Sequence, residues 1–363
     1  NKQAMKYFIT FCSLAFMACN FSTTTQQQQD WTIGDFVKQD SVNPILLPDT
    51  NFRFDCPVSN KQVLWQSKNV LNPTAFIKDG KVYLLYRAQD SAMTSRLGLA
   101  ISEDGIHFKK QPNPIFYPTN DSLQKYEWHG GVEDPRIVST EDGGYLLTYT
   151  SYDGKTARLC YATSKDLLQW EKYGPLLKNE KYINAWSKSG SIVVEQKGDQ
   201  MVAKKINGKY WMYFGDTQLF MAYSSDLIHW EALENKESQK LVAVLNPRAG
   251  YFDSRLVEPG PFALYTNKGI VLIYNSSNAA NNNDPNLPIY TYSAAQALFD
   301  STQPYKLLDR TNQYFIHPDK PYEKTGEVNE VCFVEGLVHF KQKWFLYYGT
   351  ADSKIAVAIA NPR

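Results

Sequence analysis

The sequence lacks the charge pattern of a nucleic-acid-binding protein. Its 38 basic and 37 acidic residues almost cancel, and no block of lysine and arginine is present. A nucleic-acid interface needs a basic excess on one face. No apolar run reaches the roughly 18–20 residues of a helix that spans a bilayer. The 5 histidines show no metal-ligand spacing, so we predict no metal, no cofactor and no nucleic-acid partner.

Cysteine is also scarce, with 5 residues in a chain of 363. Three of them, Cys56, Cys160 and Cys332, lie far from the amino terminus and far from one another. An odd number at these distances excludes a disulfide framework and a zinc-type spacing. We expect these three cysteines to be buried small apolar residues.

The amino terminus has the features of an export signal. Lys6 precedes an apolar stretch of about the length of a signal-peptide core. Ala18 stands directly before Cys19, where a bacterial lipoprotein signal places its lipidated cysteine. A plain secretory signal is the alternative. Residues 1–19 are therefore a predicted signal segment, and the chain is expected to be exported and to contact a bacterial membrane only through a lipid on Cys19.

A polar stretch follows, with a run of four glutamines within residues 20–40. This low-complexity composition predicts a tether rather than a packed element. Residues 41–363 remain as a single predicted domain. The whole chain has 24 Tyr, 19 Phe and 8 Trp, which are too many to stay solvated in a disordered chain.

Strand-like segments recur through this domain. One class ends on a tyrosine, and the matching tyrosines are separated by 63, 64, 61 and 73 residues: Tyr86, Tyr149, Tyr213, Tyr274 and Tyr347. Asp-Gly and Asn-Gly hairpin turns precede most of these segments, which gives about four strands in each unit. The pattern predicts an all-β, five-bladed β-propeller in which each blade is a four-stranded antiparallel sheet. A pair of β-sandwiches with accidental spacing is the alternative.

Polar residues lie at the predicted starts of the inner strands. They are Asn72, Asp134, Glu195, Glu258 and Glu330. Carboxylates that converge on one channel mouth repel one another, which is costly unless they serve binding or chemistry. Paired carboxylates in a cleft rich in aromatic residues favour glycoside chemistry. Each residue also has a structural alternative: Asp134 as a strand cap, Glu258 as a turn carboxylate, and Glu195 and Glu330 as solvated side chains.

Several segments resemble glycoside hydrolase family 130. The string Gly130-Gly-Val-Glu-Asp-Pro-Arg-Ile137 is similar to its signature, as are Leu85-Tyr-Arg-Ala88, Glu258-Pro-Gly-Pro261 and Tyr347-Tyr-Gly-Thr-Ala-Asp352. The resemblance implies a five-bladed propeller that acts on β-mannosides. Many members of the family are phosphorylases, and others are inverting hydrolases of β-1,2-mannosides.

The resemblance also implies roles for individual residues. Asp134 matches the family's acid. Two phosphate ligands of the phosphorylases are replaced, because Gly215-Asp216 stands in place of an arginine and Asn275 in place of a histidine. Glu258 stands where phosphorylases tend to have glycine, which suits a base that activates water. We therefore expect an inverting hydrolase that releases mannose from β-1,2-linked mannooligosaccharides.

The base is expected to be Glu258 or Glu195, with Asp134 on the acid side. Alternatively, the two glutamates form the acid/base pair and Asp134 binds the sugar. Inversion predicts carboxyl groups roughly 6.5–9.5 Å apart. The expected sugar-binding residues are Asn72, Arg87, His129, Arg136, Asp216, Asn275, Glu330, Tyr348 and Asp352.

Two other functions stay open. A phosphorylase could build its anion site from Arg158, Lys188 or Lys204. A non-catalytic propeller could bind sugar at the cell surface. A furanosidase is disfavoured, because related five-bladed families carry an acid on the first inner strand, where this chain has Asn72.

Overall fold

The computed structural model describes residues 29–362. The predicted signal segment and the first part of the tether, residues 20–28, lie outside the described residues. The described residues are predominantly β-structure, with two helices of one turn each, α1 (Gln124–Glu127) and α2 (Pro321–Lys324). Between residues 29 and 362, no helix is both long and apolar enough to cross a membrane.

Three short strands come first. They are β1 (Val37–Lys38), β2 (Phe54–Cys56) and β3 (Lys61–Val63). The last two pair with each other as a separate two-stranded sheet.

The next strands form two antiparallel groups in which each strand pairs with the one before it. Group one contains β4 (Asn69–Lys78), β5 (Lys81–Gln89), β6 (Ser95–Ser102) and β7 (Lys109–Lys110). Group two contains β8 (Gly131–Ser139), β9 (Tyr145–Tyr152), β10 (Ala157–Ser164) and β11 (Glu171–Pro175).

The following two groups have a first strand that is interrupted or shared. Group three contains β12 (Ser191–Lys197), β13 (Gln200–Ala203), β14 (Lys205–Ile206), β15 (Lys209–Phe214), β16 (Phe220–Ser224) and β17 (Trp230–Ala232). Group four contains β18 (Leu256–Pro259), β19 (Ala263–Thr266), β20 (Gly269–Ser277), β21 (Tyr292–Phe299) and β22 (Leu307–Arg310). The strand β12 pairs with both β13 and β15, and β20 pairs with both β18 and β19.

Group five joins the two ends of the domain. It contains β23 (Cys332–Phe340), β24 (Lys343–Thr350) and β25 (Lys354–Ala360), and β1 completes it, with Val37 opposite Ile359. Trp31 is also buried in the core, at 8% exposure. The compact unit therefore begins at Trp31 rather than at residue 41. The sequence analysis placed residues 31–40 in the tether, because the only strand there is two residues long and gives no periodic pattern.

A buried acid holds the second strand of three groups. The Tyr149 hydroxyl donates to Glu127, that of Tyr274 to Asp253 and that of Tyr348 to Glu323, at 2.8, 2.9 and 2.9 Å. Each acid is paired with a cation on the outer strand of its group: Lys172, Arg310 and Lys38, all at 2.7 Å. We call each set a tyrosine–acid–cation cluster. In group one the acid is replaced by the neutral Gln66, which accepts from Tyr86.

Candidate active site

Bulges in three first strands redirect polar side chains. The pairing of β4 with β5 skips Asn72, that of β8 with β9 shifts between Glu133 and Arg136, and that of β23 with β24 skips Glu335. Asn72 and Asp134 have left-handed backbone conformations there, with φ of 45° and 48°. A bulge re-aims the side chain that it carries and ends regular pairing locally.

Asp134 is the centre of a buried ionic cluster. It is 2% exposed and accepts from the Asn72 amide at 2.8 Å and from the Arg87 guanidinium at 3.0 Å. The Lys188 ammonium lies 3.4 Å from its other oxygen. Burial alone would raise the pKa of Asp134, but Arg87 and Lys188 outweigh burial and hold that pKa well below its ordinary value. Asp134 is therefore ionised, and it suits the binding of a sugar hydroxyl better than the direct donation of a proton.

Two further carboxyl groups adjoin this cluster. Glu133 is paired with Arg87 at 2.6 Å, so this guanidinium lies between two acids. Asp352, at the turn after β24, has a positive φ of 48°. Burial raises the pKa of Asp352 to about 6; Arg87 opposes this rise and Asp134 adds to it. Of the two carboxyl groups, Asp352 therefore binds a proton more readily than Asp134.

Glu258 is the carboxyl group best suited to transfer a proton near neutral pH. It lies near the end of β18, is 4% exposed and accepts a hydrogen bond from the Ser189 hydroxyl. Burial raises the pKa of Glu258 to about 7, although Lys188 lowers it, and the charge of Asp216 contributes to the rise. A pKa near the working pH gives both protonation states in useful amounts.

Arg136 connects the strand of Asp134 with the strand of Glu258. Its guanidinium donates to the carbonyl oxygens of Pro259 and Gly260, at 2.7 and 2.6 Å, and to that of Asp134 at 3.1 Å. The side chain is 3% exposed. Since these donors are used by backbone carbonyls, Arg136 positions the site rather than binding a sugar, contrary to the prediction from sequence.

The segment between β11 and β12 delivers three side chains to the site. We call residues 183–189 the anchor segment, because Arg158 of β10 donates to the Ile183 carbonyl and to the Asn184 side chain, at 2.7 and 2.9 Å. Lys188 and Ser189 then reach Asp134 and Glu258. The Trp186 indole N–H donates to Asp216 at 2.6 Å.

Comparison with known proteins identifies the family of this chain. A family model described as beta-1,4-mannooligosaccharide phosphorylase matches residues 36–362. The chain belongs to glycoside hydrolase family 130. A 1,2-beta-oligomannan phosphorylase from Thermoanaerobacter is 32% identical over 306 residues, which cover 81% of this chain and 90% of that protein.

Solved structures of higher identity resemble the whole fold. A glycosyl hydrolase from Bacteroides ovatus superimposes with a TM-score of 0.89 at 44% identity, covering 92% of this chain and 95% of its own. A second structure superimposes with a TM-score of 0.89 at 45% identity, covering 92% of this chain and 95% of its own. It is described with the statement that the GH130 family of mannoside phosphorylases contains glycoside hydrolases that target β-1,2 mannosidic linkages in Candida mannan.

Several residues predicted for this family 130 site have other contacts. Glu195 is paired with Lys204 and Lys197, at 2.7 and 3.0 Å, on the hairpin of β12 and β13. Glu330 precedes β23 and is half-buried, and its backbone bonds to Tyr292 and Lys324. The structure thus does not bring these two glutamates into the cluster of Asp134 and Glu258.

Two other predicted sugar ligands are buried within the fold. Both polar atoms of the Asn275 side chain bond to the backbone of Val334, at 2.7 and 2.9 Å, and so join β20 to β23. Tyr348 is fully buried and belongs to a tyrosine–acid–cation cluster. Both side chains are therefore structural. His129, by contrast, is exposed and lies against Gly154.

Glu335 and the anchor segment were missed by the sequence analysis, apart from Lys188, which was considered only as a phosphate ligand. Glu335 is completely buried, and neither of its carboxyl oxygens has a hydrogen-bond partner among the described residues. Arg136 lies 3.7 Å away. Burial raises the pKa of Glu335 well above its ordinary value, although Arg136 opposes this. The sequence does carry one indication of Glu335. It lies 12 residues before the repeat tyrosine Tyr347, a spacing close to the 14 residues that separate Asn72 from Tyr86.

Proposed function

We propose that this family 130 member is an inverting hydrolase that releases mannose from β-1,2-linked mannooligosaccharides. The observation that carries the proposal is Glu258, a buried carboxyl group with a pKa of about 7 next to the acidic Asp216. A phosphorylase must hold a phosphate dianion at the point of attack. Acidic side chains there repel phosphate, whereas a base is what an attacking water needs.

The cations of the site support hydrolysis as well. Arg87 and Lys188 are already paired with Asp134, Arg158 is paired with Asp153 at 2.6 Å and Lys204 with Glu195. An anion site built from Arg158, Lys188 or Lys204 would have to break these pairs. The names of the relatives point the same way, since the protein at 32% identity is a phosphorylase while the structures at 44–45% are associated with hydrolases.

In the proposed reaction, Asn72, Arg87 and Asp134 bind the hydroxyl groups of the terminal mannosyl ring. Glu258 accepts a proton from water, whose oxygen attacks the anomeric carbon as the glycosidic bond breaks. The leaving oxygen receives its proton from the carboxyl group of Asp352, while Asp134 stays ionised. One water is consumed, and the products are mannose of inverted configuration and the shortened oligosaccharide.

The test is to incubate the protein with β-1,2-mannobiose, with and without inorganic phosphate, and to identify the products. We expect free mannose at the same rate in both samples. Mannose 1-phosphate formed only with phosphate would refute hydrolysis. The Glu258→Gln variant should lose turnover, whereas Glu195→Gln, which alters a carboxylate outside the cluster, should keep it.

We propose further that the five strand groups are the blades of a five-bladed β-propeller. Support comes from their succession along the chain and from β1, which completes group five from the amino-terminal end. A crystal structure in which the groups surround one axis would establish this arrangement. Four groups around the axis, or two stacked sheets, would refute it.

We also propose export and lipid attachment at Cys19, on the basis of Lys6, the apolar stretch and Ala18. Metabolic labelling with a fatty acid should mark the chain in a bacterial host. The Cys19→Ala variant should lose the label, and equal labelling of both chains would refute the proposal.

A further inference from the structure

Trp186 is the feature of the site that the proposed reaction does not use. Its side chain is 54% exposed, whereas Asp134 and Glu258 are 2% and 4% exposed. A large exposed aromatic residue next to a polar pocket is typical of a binding surface rather than of a core. Trp186 therefore lies at the outer level of the same site.

The position of Trp186 is fixed by contacts on several sides. Its indole N–H donates to Asp216, and the ring of Tyr152 meets its ring at 67° with centroids 6.4 Å apart. The backbone on both sides is held too, because the N–H of Ala185 bonds to Tyr182 and that of Ser187 to Ala157. A ring held in place before a ligand arrives costs little ordering entropy on binding.

The chain connects Trp186 directly to the reacting groups. Lys188, two residues later, reaches Asp134, and Ser189 donates to Glu258. Asp216, which accepts from Trp186, also contributes to the raised pKa of Glu258. A ligand on Trp186 is therefore next to a ring bound in the carboxylate cluster.

We propose that Trp186 forms an outer sugar-binding subsite, which takes the apolar face of a second pyranose ring while the first occupies the carboxylate cluster. This rests on the proposed function for the identity of the inner ring. The rigid indole offers an apolar face to ring C–H groups, and Asp216 at its edge offers an acceptor to hydroxyl groups. The substrate is then an oligosaccharide of at least two rings rather than a mannoside of a small alcohol.

Binding is measured first, because it does not depend on turnover. In the Glu258→Gln background, calorimetry with mannose and with β-1,2-mannobiose should show that Trp186→Ala weakens mannobiose binding roughly ten- to hundredfold. Mannose affinity should stay unchanged. Trp186→Phe, which keeps a ring but loses the N–H, should retain most of the mannobiose affinity. Equal mannobiose affinity in the Trp186→Ala and parent proteins would overturn the subsite.

Kinetics then separate the subsite from the chemistry. With Glu258 intact, Trp186→Ala should lower kcat/KM for mannobiose roughly ten- to hundredfold and leave that for β-mannosyl fluoride, which has no second ring, unchanged. Equal losses on both substrates would overturn the subsite and show that Trp186 acts through Asp216. Tyr305→Ala, at an aromatic residue 42% exposed outside the site, is the matched control. If wild-type protein turns over neither substrate, the proposed function fails, and the binding comparison still decides the subsite.

Discussion

The Arg136 guanidinium donates to the carbonyl oxygen of Pro259, the residue that follows Glu258. A side chain from the Asp134 strand thus fixes the backbone of the strand that carries the proposed base. The two carboxyl groups come from different strand groups, so their separation depends on this link.

We expect Arg136→Lys to reduce kcat about 100-fold, because a displacement of the base by about 1 Å costs this much. Lysine keeps the positive charge but lacks the planar fork of donors that reaches the three carbonyl oxygens. Carbonyl oxygens left without a donor in this buried site should also destabilise the fold by about 1–3 kcal/mol. Steady-state kinetics and chemical denaturation measure the two effects. Full turnover in a folded Arg136→Lys protein would contradict the positioning role.

The activity should have a narrow pH optimum between about 6 and 7. Glu258, with a pKa of about 7, must be ionised to act as base, and Asp352, with a pKa of about 6, must be protonated. The fraction of protein in this state is greatest midway between the two pKa values, so kcat/KM falls below about pH 6 and above about pH 7. A pH profile of kcat/KM on mannobiose checks both sides of the optimum.

The two sides of that optimum can be separated with β-mannosyl fluoride, whose leaving group needs no proton. On this substrate we expect Asp352→Asn to keep far more turnover than on mannobiose. Equal losses on both substrates would show that Asp352 does not supply the proton.

Glu335→Gln should stabilise the protein, and more so at high pH. Because the folded-state pKa of Glu335 is raised, its contribution to stability is fully present below the unfolded pKa and is lost as the pH rises toward the folded pKa. A neutral glutamine removes this dependence and should gain about 1–3 kcal/mol at pH 8. Melting curves of both proteins at pH 5 and pH 8 test this, and an equal shift at both pH values would disprove the buried, neutral carboxyl group.

Tyr348→Phe should lower stability and leave catalysis intact. Removing the hydroxyl leaves Glu323 short of one donor in a buried site, at a cost of about 1–3 kcal/mol. Tyr149→Phe and Tyr274→Phe alter the matching clusters and serve as controls. If Tyr348 bound substrate, its phenylalanine variant alone would raise KM.

The repeat pattern was readable from the sequence because it depends on local chemistry. The tyrosine spacing predicted the strand succession. Asp104 and Asp226, at the turns after β6 and β16, accept hydrogen bonds from backbone N–H groups two and three residues later, which is an example of this local chemistry. Asn72, Arg87 and Asp134 also meet as one cluster.

The site residues that the sequence analysis misplaced or missed are positioned by contacts between segments far apart in the chain. Glu335 is placed by a bulge in β23, and only its spacing before Tyr347 points to it in the sequence, so the sequence analysis predicted Glu330 instead. Asn275 looked like a free polar strand end, but its amide is used by Val334 of another strand group. The contacts of the anchor segment are set by Arg158 and by strand β10, far from the residues that they position.

The anchor segment also limits how this enzyme can change over time. One short stretch carries the proposed sugar platform, a cation for Asp134 and a partner for Glu258. An insertion or deletion there would alter substrate choice, charge balance and the proton acceptor in a single step. New specificities should therefore arise by point substitutions on a conserved loop length, or by exchange of the whole segment together with its arginine support.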